Sequence, residues 1–222
     1  ESELDRLGVF DPTLNADTLL FPDPLLLERS QHREFRNAKE GFDTYFEKVM
    51  TLLHGIRSEG DKVWRTAFKL LSFPEIKGTC LGYGSSIAGS GTGPIMTKKL
   101  LETGIDVVRM GIDSPDLFMA MGLFEEDFGP DLIGDMLTNI CFPEILEFNK
   151  RVIEALNIPT REFDIRLANG SRYKPQLAEN LVVGAVDTPV ILALPCSDTS
   201  TEPLTTSQSP VGISVVNPAL GI

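Results

Sequence analysis

Apolar residues at steps of three and four open the readable part of the chain. Phe35, Ala38, Phe42, Tyr45, Phe46, Val49, Leu52 and Leu53 share one face at 3.6 residues per turn, which predicts a helix from about Glu34 to Ile56. Ser58-Glu59-Gly60-Asp61 breaks that period and supplies a capping carboxylate for a second helix, Lys62 to Leu71, with Val63, Trp64, Ala67, Phe68 and Leu71 turned inward. The pair reads as an antiparallel helical hairpin. Before it, Phe10-Asp11-Pro12 and Phe21-Pro22-Asp23-Pro24 mix apolar residues with prolines that exclude a regular helix, so residues 1–30 are expected to form an extended arm packed along the body.

After Pro74 the texture changes. Five glycines fall between Gly82 and Gly93, a density that keeps side chains away from the backbone. A short strand is expected over Thr79 to Tyr83, then a helix from Ile95 to Glu102 started by Pro94 and closed by Gly104. Val107 to Ile112 reads as a second strand, and Ser114-Pro115-Asp116 as the start of a short helix reaching Met121. A long amphipathic stretch follows from Pro130 to Leu156, interrupted by Pro143. A proline there removes a hydrogen bond and clashes with the preceding turn, at a cost of about 3 kcal/mol, so the helix should kink or break between Asn139 and Glu144. Asn169-Gly170 suggests a type I′ hairpin turn, and Val190 to Leu194 a buried strand or an extended segment under the core. Residues 196–222 are rich in Ser and Thr, with 197–209 expected to be irregular. The sum is a helix-dominated α+β domain over 31–195 with a small sheet, flanked by the arm and the C-terminal segment.

Composition narrows the classes. With 222 residues, 42% of them hydrophobic, the chain can bury a real core. No apolar run approaches the roughly 18 residues of a membrane span and no signal pattern opens the sequence, so a cytoplasmic protein without a membrane partner is expected. Cys80, Cys141 and Cys196 form no CxxC or Cys/His cluster, which argues against a zinc knuckle or disulfide scaffold. His32 and His54 match no local metal motif, and a structural role is the simpler reading of each. The net charge of -12 divides unevenly, -2 over residues 1–110 and -10 over 111–222. The acidic half repels phosphate backbones, so any nucleic-acid contact falls to the N-terminal helices carrying Arg29, Arg33, Arg36, Lys39, Lys48, Arg57, Lys62, Arg65 and Lys69. That run is interleaved with acids, so a solvated helix face is the competing reading.

The strongest chemical signal is Asp131, Asp135 and Asn139, which recur at every fourth position of Gly129-Pro130-Asp131-Leu132-Ile133-Gly134-Asp135-Met136-Leu137-Thr138-Asn139. They share one helix face beside the apolar stripe of Leu132, Ile133, Met136, Leu137 and Ile140. Two carboxylates and an amide so aligned are candidate ligands for Mg2+ or Mn2+, because hard cations prefer clustered oxygens. In the ordinary alternative, Asp131 complements the helix N-terminus, Asp135 caps or pairs with an arginine and Asn139 hydrogen-bonds across to the hairpin, which makes the stripe a buried hydrogen-bonding node. Gly89, Gly91 and Gly93, ahead of the Pro94 helix, are candidates to cradle a phosphate, although the stretch is neither GxxxxGK[ST] nor a clean GxGxxG, and a surface connection serves as well. Asp164, Arg166, Arg172 and Lys174 gather around the Asn169-Gly170 turn. An acid on one strand and a lysine on its partner resembles metal-nuclease folds, without their PD…(D/E)xK order, and makes Lys174 a third catalytic candidate beside Asp131 and Asp135.

Phe21-Pro22-Asp23-Pro24-Leu25-Leu26-Leu27, the helix with Tyr45-Phe46, Leu81-Gly82-Tyr83, and Gly129 to Met136 with Asn139 together resemble a family of uncharacterised bacterial proteins. That family carries a Gly-x-Gly-x-Asp-x-Ile-Ser-Asp-Met core in chains from mobile-element or phage-defence settings. Gly134 stands where the core has serine. The resemblance implies a context and a shared stripe, not a reaction. Two functions are accordingly expected from the sequence: a metal-dependent phosphodiester- or phosphate-processing enzyme, in particular a nuclease, or a non-catalytic subunit that binds a protein partner or senses a ligand.

Overall fold

The computed structural model describes residues 3–9, 11, 14, 20–22, 24–81, 93–118, 120, 128–181, 188–192 and 213–215. The architecture is α+β and helix-dominated. α1 is a single turn, Glu3–Arg6, followed by β1, Leu20–Pro22. The arm is less extended than its prolines suggest, because Pro24 heads a short 3-10 helix, Pro24–Arg29, at a first-turn position where its missing N–H is not needed.

α2, Ala38–Gly55, is the central element. Its apolar face of Ala38, Phe42, Phe46, Val49, Met50 and Leu53 is buried, and it packs against α3, Lys62–Leu70, α4, Pro94–Arg109, α5, Pro130–Ile140, and the 3-10 helices at 24–29 and 115–118. Phe46 stacks on Phe118 with centroids 4.6 Å apart and meets Phe42 edge-on at 5.0 Å. The expected hairpin of α2 and α3 is present, closed by Asp61. One of its carboxylate oxygens accepts from Trp64 N at 2.7 Å and the other from Arg57 N at 2.9 Å, and these backbone donors hold the carboxyl below the usual range. The Tyr45 hydroxyl then donates across the hairpin to Leu70 O at 2.7 Å.

Three sequence expectations are corrected between the hairpin and α5. α4 does not stop at Gly104 but runs on to Arg109 through the strand expected at Val107 to Ile112. Gly104 is buried against α2, where an added Cβ would lie 3.0 Å from Leu53 Cδ1; the glycine permits close helix packing rather than ending the helix. No strand forms over 79–80: Cys80 has φ +52 and Gly78 φ +98, left-handed values incompatible with extended pairing, while residues 82 and 83 lie outside the described set. The short helix at Ser114 is a 3-10 turn, Pro115–Phe118.

The break at Pro143 falls where expected. α5 ends at Ile140, and α6, Phe142–Leu156, begins after Cys141 with Pro143 in its first turn, where the missing N–H costs nothing. Asn157 closes α6 in the left-handed conformation, φ +51. The strands after it are short and antiparallel. β2, Arg161–Glu162, pairs with β5, Gln176–Glu179, which pairs with β6, Pro189–Val190. β3, Ile165–Arg166, pairs with β4, Arg172–Tyr173. β7, Ile213–Val215, pairs with β1. The Asn169-Gly170 turn is not type I′. That type needs φ above zero at both central residues, whereas only Gly170 is left-handed, φ +96; Gly170 N donates to Leu167 O and Leu167 N to Ser171 O, the pattern of a type I turn with a glycine bulge. Of the buried strand or extended segment expected at 190–194, the paired strand ends at Val190 and the next two residues pair elsewhere: Ile191 N donates to Gly78 O at 2.9 Å and Leu192 N to Asn149 Oδ1 at 2.8 Å, while residues 193 and 194 lie outside the described set.

Candidate functional site

α5 carries the stripe. Gly129 is its N-cap and Pro130 its first residue, which sets Asp131 in the first turn; the side chain of Asp131 lies outside the described atoms. Asp135 is half-buried one turn on, and Asn139, 6% exposed, a further turn on. The Asn139 amide donates to two carbonyls, Asp135 O at 2.9 Å and Pro74 O at 2.8 Å. Both of its N–H groups are thereby committed, the amide plane is fixed, and Oδ1 is the atom the side chain presents as an acceptor. Beside it Thr138 Oγ1 bonds back to Gly134 O.

The Pro74 bond makes Asn139 a structural node as well. Replacing Asn139 with Ala is expected to leave a carbonyl without its donor and to lower stability by about 2 kcal/mol. Urea denaturation reads this directly, and a midpoint equal to wild type would show that Pro74 O finds another donor.

The segment that Asn139 holds also forms one wall of a cleft of about 280 Å3. Glu75 and Lys77 face it from that segment, Asp164 and Arg166 from the β2–β3 region, over a floor that includes Phe163 and Pro189. The structure thus brings the α5 stripe and the hairpin charges to one short segment. Glu75 and Lys77 were not among the sequence candidates. Their signal is the Glu75-Ile76-Lys77 spacing, whose meaning depends on Asp164 lying across the cleft, 89 residues later in the chain.

The hairpin charges are paired among themselves. Arg172 grips Asp164 bidentately, Nε to Oδ1 and Nη2 to Oδ2, both at 2.7 Å, and Arg166 adds a contact at 3.3 Å. The Arg172 hydrogen bonds, helped by Arg166, hold the Asp164 carboxyl down to about 2. Lys174 is exposed and lies 3.4 Å from Glu162 Oε1. Among the described residues no three His, Cys, Asp or Glu side chains group closely enough to hold a metal ion. Gly89 and Gly91 lie outside the described residues; Gly93 is the N-cap of α4, and its carbonyl accepts from Thr97 N and Oγ1.

Of the basic residues on the N-terminal elements, Arg29, Arg33, Arg36, Lys48, Arg57, Lys62, Arg65 and Lys69 are exposed, while Lys39 is engaged by Asp43. Cys141 is buried, and burial pushes its thiol well above the usual range, which makes it a packed apolar group. No described helix is long and apolar enough to cross a membrane.

No curated protein and no solved structure matches the chain. A family model described as a domain of unknown function (DUF8370) matches residues 1–200, and the chain belongs to that family.

Proposed function

We propose that the protein is a metal-dependent phosphodiester- or phosphate-processing enzyme, a nuclease acting in the bacterial cytoplasm in a defence setting. The observation that carries this reading is the Asn139 amide, locked by Pro74 O and Asp135 O so that a neutral oxygen is presented on the helix face that also bears Asp131 and Asp135. On this reading those three residues hold Mg2+ or Mn2+, which supplies charge stabilisation to a phosphate group. Lys174 and the exposed Arg and Lys of α2 and α3 meet the anionic substrate, and the glycines up to Gly93 approach its phosphate through backbone N–H groups.

Calorimetric titration of Mg2+ and Mn2+ tests the proposal. Wild type is expected to bind, and to cleave DNA or RNA only with the metal present; the Asp131→Asn, Asp135→Asn double variant, folded by circular dichroism, should do neither. Absence of both heat and cleavage in wild type overturns the enzyme reading.

A second reading, a non-catalytic subunit that binds a protein partner or senses a ligand, is favoured by two exposed apolar side chains at the opposite ends of α4, Ile95 in its first turn and Met110 at its C-cap. Ile95 is 80% exposed and Met110 70%. A partner bound equally well by the Asp double variant and lost on Met110→Glu would place recognition there and not on the stripe.

A further inference from the structure

The cleft between residues 74–77 and the β2–β3 region joins an apolar floor to a charged rim. Ile76, Phe163, Leu167 and Pro189 are buried and line it, together with the half-buried Ile165. Lys77 stands on one wall and Arg166 on the other, both exposed. Its volume of about 280 Å3 suits a small ligand and not a large cofactor.

Both walls are fixed before any ligand arrives. Pro74 O is held by Asn139 Nδ2 and Gly78 O by Ile191 N, and between them Ile76 O accepts from Thr79 N and Oγ1. Across the cleft, Phe163 N donates to Pro175 O at 3.0 Å and Leu167 N to Ser171 O at 2.9 Å, while the Arg161 guanidinium lies 4.3 Å from the centre of the Phe163 ring. A cleft built this way binds without the cost of ordering its own backbone.

The rim charges are unevenly committed. Asp164 gives both carboxylate oxygens to Arg172, a bidentate pair that neutralises it. Arg166 reaches the same carboxylate through Nη2 alone, at 3.3 Å, and its other N–H groups make no hydrogen bond among the described residues. Lys77 makes no hydrogen bond or ion pair among the described residues. A guanidinium and an ammonium above an apolar floor select a ligand with one anionic end and an apolar body. A carboxylate suits them better than a phosphate dianion, because Glu75 and Asp164 also line the cleft and repel a second negative charge.

We propose that this cleft is a binding site for a small carboxylate with an apolar body, its carboxylate held between Lys77 and Arg166 and its body resting on Phe163 and Ile165. The site is separate from the α5 stripe and stands whether or not that face holds a metal ion.

NMR of the full chain titrated with phenylacetate in EDTA tests this, the chelator keeping the outcome apart from any metal at α5. Saturable shifts are expected at the backbone N–H groups of residues 75–77 and 163–167. Phenylacetamide, which has the same body and no charge, should bind at least about tenfold more weakly, and so should phenylacetate to the Lys77→Gln, Arg166→Gln variant. Both substituted side chains are exposed, so the variant should keep the wild-type urea midpoint; should it not fold, the comparison of acid with amide in wild type carries the test. Inorganic phosphate should bind the cleft more weakly than phenylacetate. No saturable shift in wild type, phenylacetamide binding as tightly as phenylacetate, undiminished binding to the folded variant, or phosphate binding more tightly than phenylacetate overturns the site.

Discussion

Gly78→Ala is expected to destabilise the protein by about 4 kcal/mol, more than any surface substitution. Gly78 has φ +98, and a Cβ built on it would lie 2.2 Å from the carbonyl oxygen of Pro189. Two separate effects add. A left-handed backbone strains any residue with a Cβ, and the group in the way is main chain that cannot rotate aside. The same close approach lets Gly78 O accept from Ile191 N at 2.9 Å, so moving the backbones apart also loses that bond. Gly111 supplies the control, because its φ is +84 but nothing lies within 4 Å of its added Cβ. Gly111→Ala should cost only the conformational part, about 1 kcal/mol. Urea denaturation of both variants separates the two effects, and equal losses would show that the Pro189 contact relaxes freely.

Asn149→Leu is the second large effect, expected at about 3 to 4 kcal/mol. The side chain is 1% exposed and uses three of its hydrogen-bonding positions: Nδ2 donates to Ile145 O at 2.7 Å and to Leu192 O at 2.8 Å, and Oδ1 accepts from Leu192 N at 2.8 Å. It therefore offers the Leu192 peptide what a neighbouring strand would. Leucine fills similar volume but leaves a buried N–H and a buried C=O unpaired. Asn149→Asp keeps the acceptor, loses the donor and buries a charge, so its stability should recover as the carboxyl protonates in acid, whereas that of the leucine variant should not. A leucine variant as stable as wild type in urea would mean that water or another donor reaches Leu192.

What the sequence made legible was local. The α2 periodicity, the Asp61 cap and the Pro143 break are each encoded within a few residues, and each is present as expected. Gly104 misled because glycine serves two purposes, helix ending and close packing, and only the position of Leu53 on α2 selects between them. The hairpin at Asn169-Gly170 was readable as a turn but not in type, since the type depends on whether Asn169 leaves the right-handed region. The α5 stripe was legible as a shared face, whereas the partner that fixes Asn139 is Pro74, 65 residues away. The Glu34–Arg151 pair spans 117 residues, and no spacing rule connects such positions.

The segment from Pro74 to Gly78 is gripped twice, at Pro74 O by Asn139 on α5 and at Gly78 O by Ile191. Four residues span those two fixed points, with a turn bond from Thr79 N to Ile76 O just beyond the middle. Chain length is therefore set there: one inserted or deleted residue would put either the helix contact or the backbone contact out of register. Gly60 is the opposite case for a side chain, a left-handed glycine, φ +78, with nothing within 4 Å of an added Cβ, so a substitution there meets only the conformational cost. Tolerance to an added side chain should thus differ sharply between two left-handed glycines fewer than twenty residues apart, Gly60 and Gly78.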